Sequence, residues 1–220
     1  MFNNDVYRLH RVVEKFKKYQ KRYYPYITEE NDNGEWEIGI KLWDEMNSAY
    51  LTVIEKYEAD CAVKSLTDDM LYVIARDSEC SHLLCETLNY AKWFELLCRR
   101  SIETGYYNAK WQFAEKLGNY KEESDVTELL FSFIESGDEY TERMALQSLC
   151  VHFPERVEQY AIKFWNRKIY NEDEYQKIMA LYALHEIKSP LLKEYIAKSY
   201  QMDYVYLKEW ADRYAEEGLN

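Results

Sequence analysis

Three side chains of metal-ligating type fall within six residues at Cys80-Ser81-His82-Leu83-Leu84-Cys85, with Cys98 further along the chain. Thiolates and imidazoles at close spacing are what a zinc site requires. The spacing here matches no usual zinc pattern, however, and no Cys-x-x-Cys pair occurs anywhere in the chain. Cys85 falls in a helical apolar pattern with Leu83, Leu84 and Leu88, where a small buried thiol is an ordinary core residue. The reading is therefore no metal and no cofactor. Five cysteines (Cys61, Cys80, Cys85, Cys98, Cys150) form an odd set, read as reduced and mostly buried thiols of a cytoplasmic protein.

Nucleophilic catalysis would need a Ser or Cys beside a His that an acid orients. The chain offers four histidines, His10, His82, His152 and His185. His152 precedes Phe153-Pro154 and His185 precedes Glu186. Both sit near expected helix C-termini, where an imidazole is favourable on helix-dipole grounds alone. No HExxH, GxSxG, P-loop or GxGxxG motif is present. No active site is legible, and the chain is read as a non-enzyme.

The elements that would position any site are helices. Six Gly and three Pro in 220 residues, with 47% apolar residues, favour an all-α fold over an all-β or disordered chain. Residues 4–24 predict an amphipathic helix with Val6, Leu9, Val13, Phe16, Tyr19 and Tyr23 on one face, stopped by Pro25. A loop over Glu29–Glu35 and a second long helix over 36–58 follow, forming an N-terminal long-helix hairpin. Beyond it the spacing predicts helices over 81–103 (broken near Asn89), 107–118, 124–136, 139–151, 154–168, 171–187, 190–201 and 203–216. Thr67 is expected to cap the helix DDMLYVIAR, and Ser189-Pro190 to open helix 190–201 in cap-then-proline order. No apolar run is long enough to span a bilayer.

An internal echo joins the last helices. Arg143-Met-Ala-Leu-Gln-Ser-Leu149 aligns with Ile178-Met-Ala-Leu-Tyr-Ala-Leu184 at an offset of 35, and Pro154 with Pro190 at 36. Trp111–Leu117 followed by 124–136 fits with poorer register. A helix pair recurring in the mid-thirties marks an α-solenoid, and Ala114, Ala145, Ala180 and Ala183 would let its helices approach closely. Over residues 80–216 the Met-Ala-Leu pattern, the second Leu three residues on and the turn into another amphipathic helix resemble HEAT-like, armadillo-type repeats. The resemblance implies a concave binding surface. The organisation expected is an N-terminal helical pair over 1–65 packed on or capping a repeat region over 66–220.

Charge separates the function classes. The net charge is −12. Residues 1–25 carry seven basic and two acidic side chains, which is +5, leaving −17 for the remainder. An acidic surface repels phosphate backbones, so nucleic acid is disfavoured as a partner. The alternative that the resemblance raises is a HEAT-like DNA glycosylase acting on alkylated bases, with Trp111 and Glu115, or Trp165, in the aromatic and acidic roles. The basic first helix is read as a solvated face that caps or docks.

The chain also holds 22 Tyr and six Trp, the residue types that dominate protein-binding hot spots. Acids cluster at expected helix starts: Glu122-Glu123-Asp125, Asp138-Glu139-Glu142 and Glu172-Asp173-Glu174. Capping explains them. Stacked in a solenoid they would also form a negative ridge for a basic protein. The expected function is a protein-interaction module, either a scaffold or an inhibitor or immunity-type binder of a basic protein. Its candidate partner-binding residues are Tyr106, Tyr107, Trp111, Trp165, Glu172, Asp173, Glu174, Tyr204 and Tyr206.

Overall fold

A computed structural model describes residues 4–27, 41–122, 125–168 and 173–217. Twelve α-helices and no strand occur among them. The chain divides into two compact units, Met1–Lys116 with Tyr120–Leu129, and Leu117–Asn119 with Leu130–Asn220. None of the helices described is long and apolar enough to cross a membrane.

The first unit begins with α1 (Asn4–Tyr23) and α2 (Lys41–Lys56). The first five residues of the helix expected over 36–58 and the loop Glu29–Glu35 lie outside the described residues. α1 buries Leu9, Val12, Val13 and Phe16. Its apolar stripe gives out before Tyr23, which is exposed. The two helices run antiparallel. Phe16 meets Trp43 edge-on at 6.5 Å between ring centres, and Asp5 at the other end accepts hydrogen bonds from Lys56 at 3.2 Å and Tyr57 at 3.1 Å.

Helix α3 (Lys64–Arg76) is the centre of this unit, with every residue from Met70 to Arg76 buried. Thr67 does not cap it. The helix starts one turn earlier, because Ala62 and Val63 are extended and the Val63 carbonyl accepts from both Leu66 and Thr67 amides. The Thr67 hydroxyl instead donates to the Lys64 carbonyl at 2.9 Å. Burial of Leu66 draws that extra turn into the helix.

The expected 81–103 stretch is two helices, α4 (His82–Thr87) and α5 (Ala91–Ile102), broken across Leu88–Tyr90. Asp77, not Ser81, caps α4 by accepting from the Leu83 amide at 2.6 Å. Helix α6 (Tyr107–Leu117) follows. Contrary to the expectation of mostly buried thiols, Cys61, Cys80 and Cys85 are exposed and only Cys98 is fully buried. On the six-residue α4 the Leu83, Leu84 and Thr87 face is covered and Cys85 faces away from it. No three His, Cys, Asp or Glu side chains converge among the described residues in metal-binding geometry.

Over its described residues the expected helix 124–136 is a 3₁₀ turn, Asp125–Leu129, followed by the short α7 (Leu130–Phe133). Val126, Leu130, Phe133 and Ile134 are all buried, as the pattern required. A tight 3₁₀ turn presents residues three apart on one side much as an α-helix does, so the apolar spacing did not separate the two.

The second unit comprises α7, α8 (Glu139–His152), α9 (Pro154–Asn166), α10 (Asp173–Glu186), α11 (Leu192–Ser199) and α12 (Val205–Glu217). Helix α9 packs on both α8 and α10, and α10 also packs on α8, α11 and α12. Ala145, Ala161, Ala180, Ala183 and Ala211 are all buried and allow this close approach. Asp138 caps α8 by accepting from the Thr141 amide at 2.8 Å, and Pro154 occupies the first turn of α9.

The Ser189 hydroxyl accepts from the Leu191 amide at 3.1 Å, the capping bond expected of Ser189-Pro190. Lys188 takes a left-handed φ of 54°, and the Ser189 hydroxyl donates to Glu158 at 2.6 Å. That second bond ties the turn to α9, and the regular α11 begins at Leu192.

A candidate docking face on the second unit

Applying the 35-residue offset a little upstream of the repeat core pairs Tyr140 of α8 with Tyr175 of α10 (175 − 140 = 35). Both rings are exposed, at 41% and 38%. Between them lies Arg143, its guanidinium 4.9 Å from the centre of the Tyr140 ring and 5.2 Å from that of Tyr175. Arg143 is fixed from behind by Glu139, whose carboxylate lies 2.6 Å from Nε. Glu139 also accepts from the buried Gln176 amide of α10 at 3.0 Å. Each tyrosine is thus braced on a planar cation that is itself braced on both helices. Such a ring loses little side-chain freedom on binding.

The face continues to α12. Glu174 accepts from the Leu207 amide at 2.9 Å, so a side chain of α10 satisfies one of the first-turn donors of α12. One turn along α10, Lys177 is only 5% exposed. Its ammonium lies 5.9 Å from the centre of the Tyr204 ring. Among the described residues it has no ion pair. Burial pushes its pKa below the ordinary lysine value, an effect that the carboxylate of Asp173 opposes.

The structure brings Asp173, Lys177 and Tyr204 together here, and places Tyr206 on the first turn of α12 with 54% exposure. Glu174 is the cap just described. Glu172 lies outside the described residues. Trp165 is buried, packed edge-on against Tyr195 at 4.9 Å, and so offers no surface for a partner. The remaining candidates belong to the first unit. Tyr106 is half-buried, edge-on to Tyr72 at 6.0 Å. Tyr107 lies beneath Lys110 at 5.3 Å, and the Trp111 indole donates to Asn108 at 3.3 Å. Glu115 pairs with Lys116 at 3.0 Å.

The carboxylates expected to form an acidic ridge are largely engaged within the chain. Asp125 pairs with Arg99, and Asp138 caps α8. Glu142, buried, binds Arg167 and accepts from the Gly137 amide at 3.1 Å. Gly137 itself takes φ +79°, a conformation that costs a residue with a Cβ. Of the histidines, His152 bonds the Leu117 carbonyl at 2.6 Å, and His185 stacks on Tyr214 at 4.5 Å between Glu186 and Glu217.

Tyr140, Arg143, Tyr175 and Lys177 were absent from the sequence-based site. The repeat offset could have found the two tyrosines, whereas nothing local marks which of the 22 are exposed. Comparison of the chain with protein-family models, with curated proteins and with solved structures gives no match.

Proposed function

We propose that the protein acts as a protein-interaction module, a scaffold or inhibitor-type binder, that docks its partner on the Tyr140–Arg143–Tyr175 face. The preassembled sandwich of two exposed tyrosines on one braced arginine carries this reading. Tyr and Arg are the enriched hot-spot types, and rigid aromatic anchors lower the entropy lost on association. The 35-residue equivalence of the two tyrosines supports a HEAT-like array in the second unit, in which successive helix pairs repeat a contact along one face. A basic partner was expected from the acids at the helix starts, but most of these are engaged internally. The groups on the face are aromatic and cationic, and they suit a protein segment bearing a carboxylate or carbonyl acceptor.

The test is site-specific photocrosslinking. A benzophenone side chain at position 175 should trap one protein from native lysate, and the same probe at the exposed Tyr7 should not. With the purified partner, Arg143→Ala and Tyr175→Ala should each weaken binding by about tenfold or more, the scale of a hot-spot loss. An unchanged Kd in both variants would refute the docking face.

A further inference from the structure

The first unit contains a second, unrelated arrangement. α1 and α3 each place three residues at i, i+1 and i+4 against one another: Val6, Tyr7 and His10 from α1, and Ser65, Leu66 and Asp69 from α3. Together these six line a cleft of about 240 Å³. At about 30 Å³ per water-sized group, that is room for roughly eight non-hydrogen atoms.

Three of the six have the side-chain types of a nucleophilic triad. His10 Nδ1 lies 2.8 Å from Asp69 Oδ2. An ionised carboxylate there accepts from Nδ1–H and leaves Nε2 as the basic nitrogen. The Asp69 side chain is only 8% exposed. Burial raises its pKa, and the bond from His10 is the largest opposing effect. Ser65 sits one helical turn before Asp69, in the first turn of α3. Its hydroxyl makes no hydrogen bond among the described residues, and nucleophile–base bonds are often long before substrate binds.

The same turn supplies donors. The residue preceding α3 is Val63, whose side chain cannot cap. The first amides bonded to the Val63 carbonyl are those of Leu66 and Thr67, which leaves the Lys64 and Ser65 amides without a backbone acceptor among the described residues. Unpaired amides at a helix start are the kind of donor that stabilises an oxyanion.

We propose that this cleft hydrolyses small esters, with Ser65 as nucleophile, His10 as general base and Asp69 as the residue that orients His10. The proposal is independent of the docking face. Ser65 Oγ bonds to the ester carbonyl carbon as its proton passes to His10 Nε2, and the carbonyl π pair moves onto oxygen, facing the Lys64 and Ser65 amides. Collapse expels the alkoxide, which takes the proton from His10 and leaves as the alcohol. Water then gives a proton to His10 and attacks the acyl-serine. The carboxylic acid leaves, and the proton held by His10 returns to Ser65 Oγ. Asp69 stays ionised throughout. Val6, Tyr7 and Leu66 are the apolar walls for a short acyl group.

The experiment treats the whole chain with a fluorophosphonate probe and, separately, with p-nitrophenyl acetate. The wild type should carry the phosphonyl adduct on Ser65 and turn over the ester. Ser65→Ala should abolish both, and His10→Ala should slow both by about 100-fold or more. Asp69→Asn should slow turnover while leaving the fold intact by circular dichroism and urea midpoint. Absence of a Ser65 adduct in the wild type overturns the proposal. So does ester hydrolysis by Ser65→Ala at the wild-type rate, or adduct formation that survives His10→Ala undiminished.

Discussion

Lys177→Met should stabilise the protein. Lys177 is 5% exposed as a residue, with a tyrosine ring 5.9 Å from its ammonium and the carboxylate of Asp173 acting on it favourably. Burying an ammonium that makes no ion pair costs of the order of a few kcal/mol after relaxation, and the nearby Asp173 carboxylate and a ring at that distance, about 0.5 kcal/mol, offset part of it. Met keeps the unbranched length and the buried stem. The net gain should be about 1 kcal/mol at pH 7, or roughly 2–4 °C in Tm for a chain of this size.

The pH dependence fixes the cause. The folded pKa of Lys177 is lowered from 10.5, so the unfolded chain binds the extra proton. Wild-type stability therefore rises with pH through the window between the folded value and 10.5. The advantage of Lys177→Met should be full below that window and vanish towards pH 10.5. Urea denaturation of both proteins at pH 7 and pH 10 measures the difference, and titration of the tyrosines cancels between them. A destabilised variant, or an advantage of equal size at both pH values, would show that Lys177 is compensated in the fold and would refute the reasoning.

Glu142 should behave in the opposite way. Its carboxylate is 3% exposed, pairs with Arg167 and accepts from the Gly137 amide. Glu142→Ala should cost about 3 kcal/mol in chemical denaturation, because it strands a buried guanidinium, and a loss under 1 kcal/mol would refute the assignment. Among the thiols, Cys61, Cys80 and Cys85 are exposed and should react with Ellman's reagent in the native protein. Cys150, whose pKa is pushed up to about 12 by burial, and the fully buried Cys98 should react only on unfolding. More than three fast thiols would contradict the packing of α5 or α8.

The two sites answer different tests, and they sit on different units of the chain. Loss of ester hydrolysis in Ser65→Ala should leave partner affinity unchanged. Loss of affinity in Arg143→Ala should leave hydrolysis unchanged.

What the sequence determined by itself was local. Apolar residues three and four apart set α1 over Asn4–Tyr23, and the starts at Asp138 and Pro154 set α8 and α9, because caps, proline and periodicity act within one turn. The same local signals did not fix every helix start or helix type. Thr67 bonds the Lys64 carbonyl instead of capping α3, and the run 124–136 holds only a 3₁₀ turn and a four-residue helix among its described residues. The tertiary structure alone decided which aromatic residues meet water, burying Trp165 while leaving Tyr206, Tyr140 and Tyr175 exposed. It alone joined His10 to Asp69 across 59 residues and set Arg143 between two rings. An amphipathic pattern states that a helix has a face to bury, but the neighbour that covers that face, and the polar groups brought together at its edge, depend on how distant helices pack.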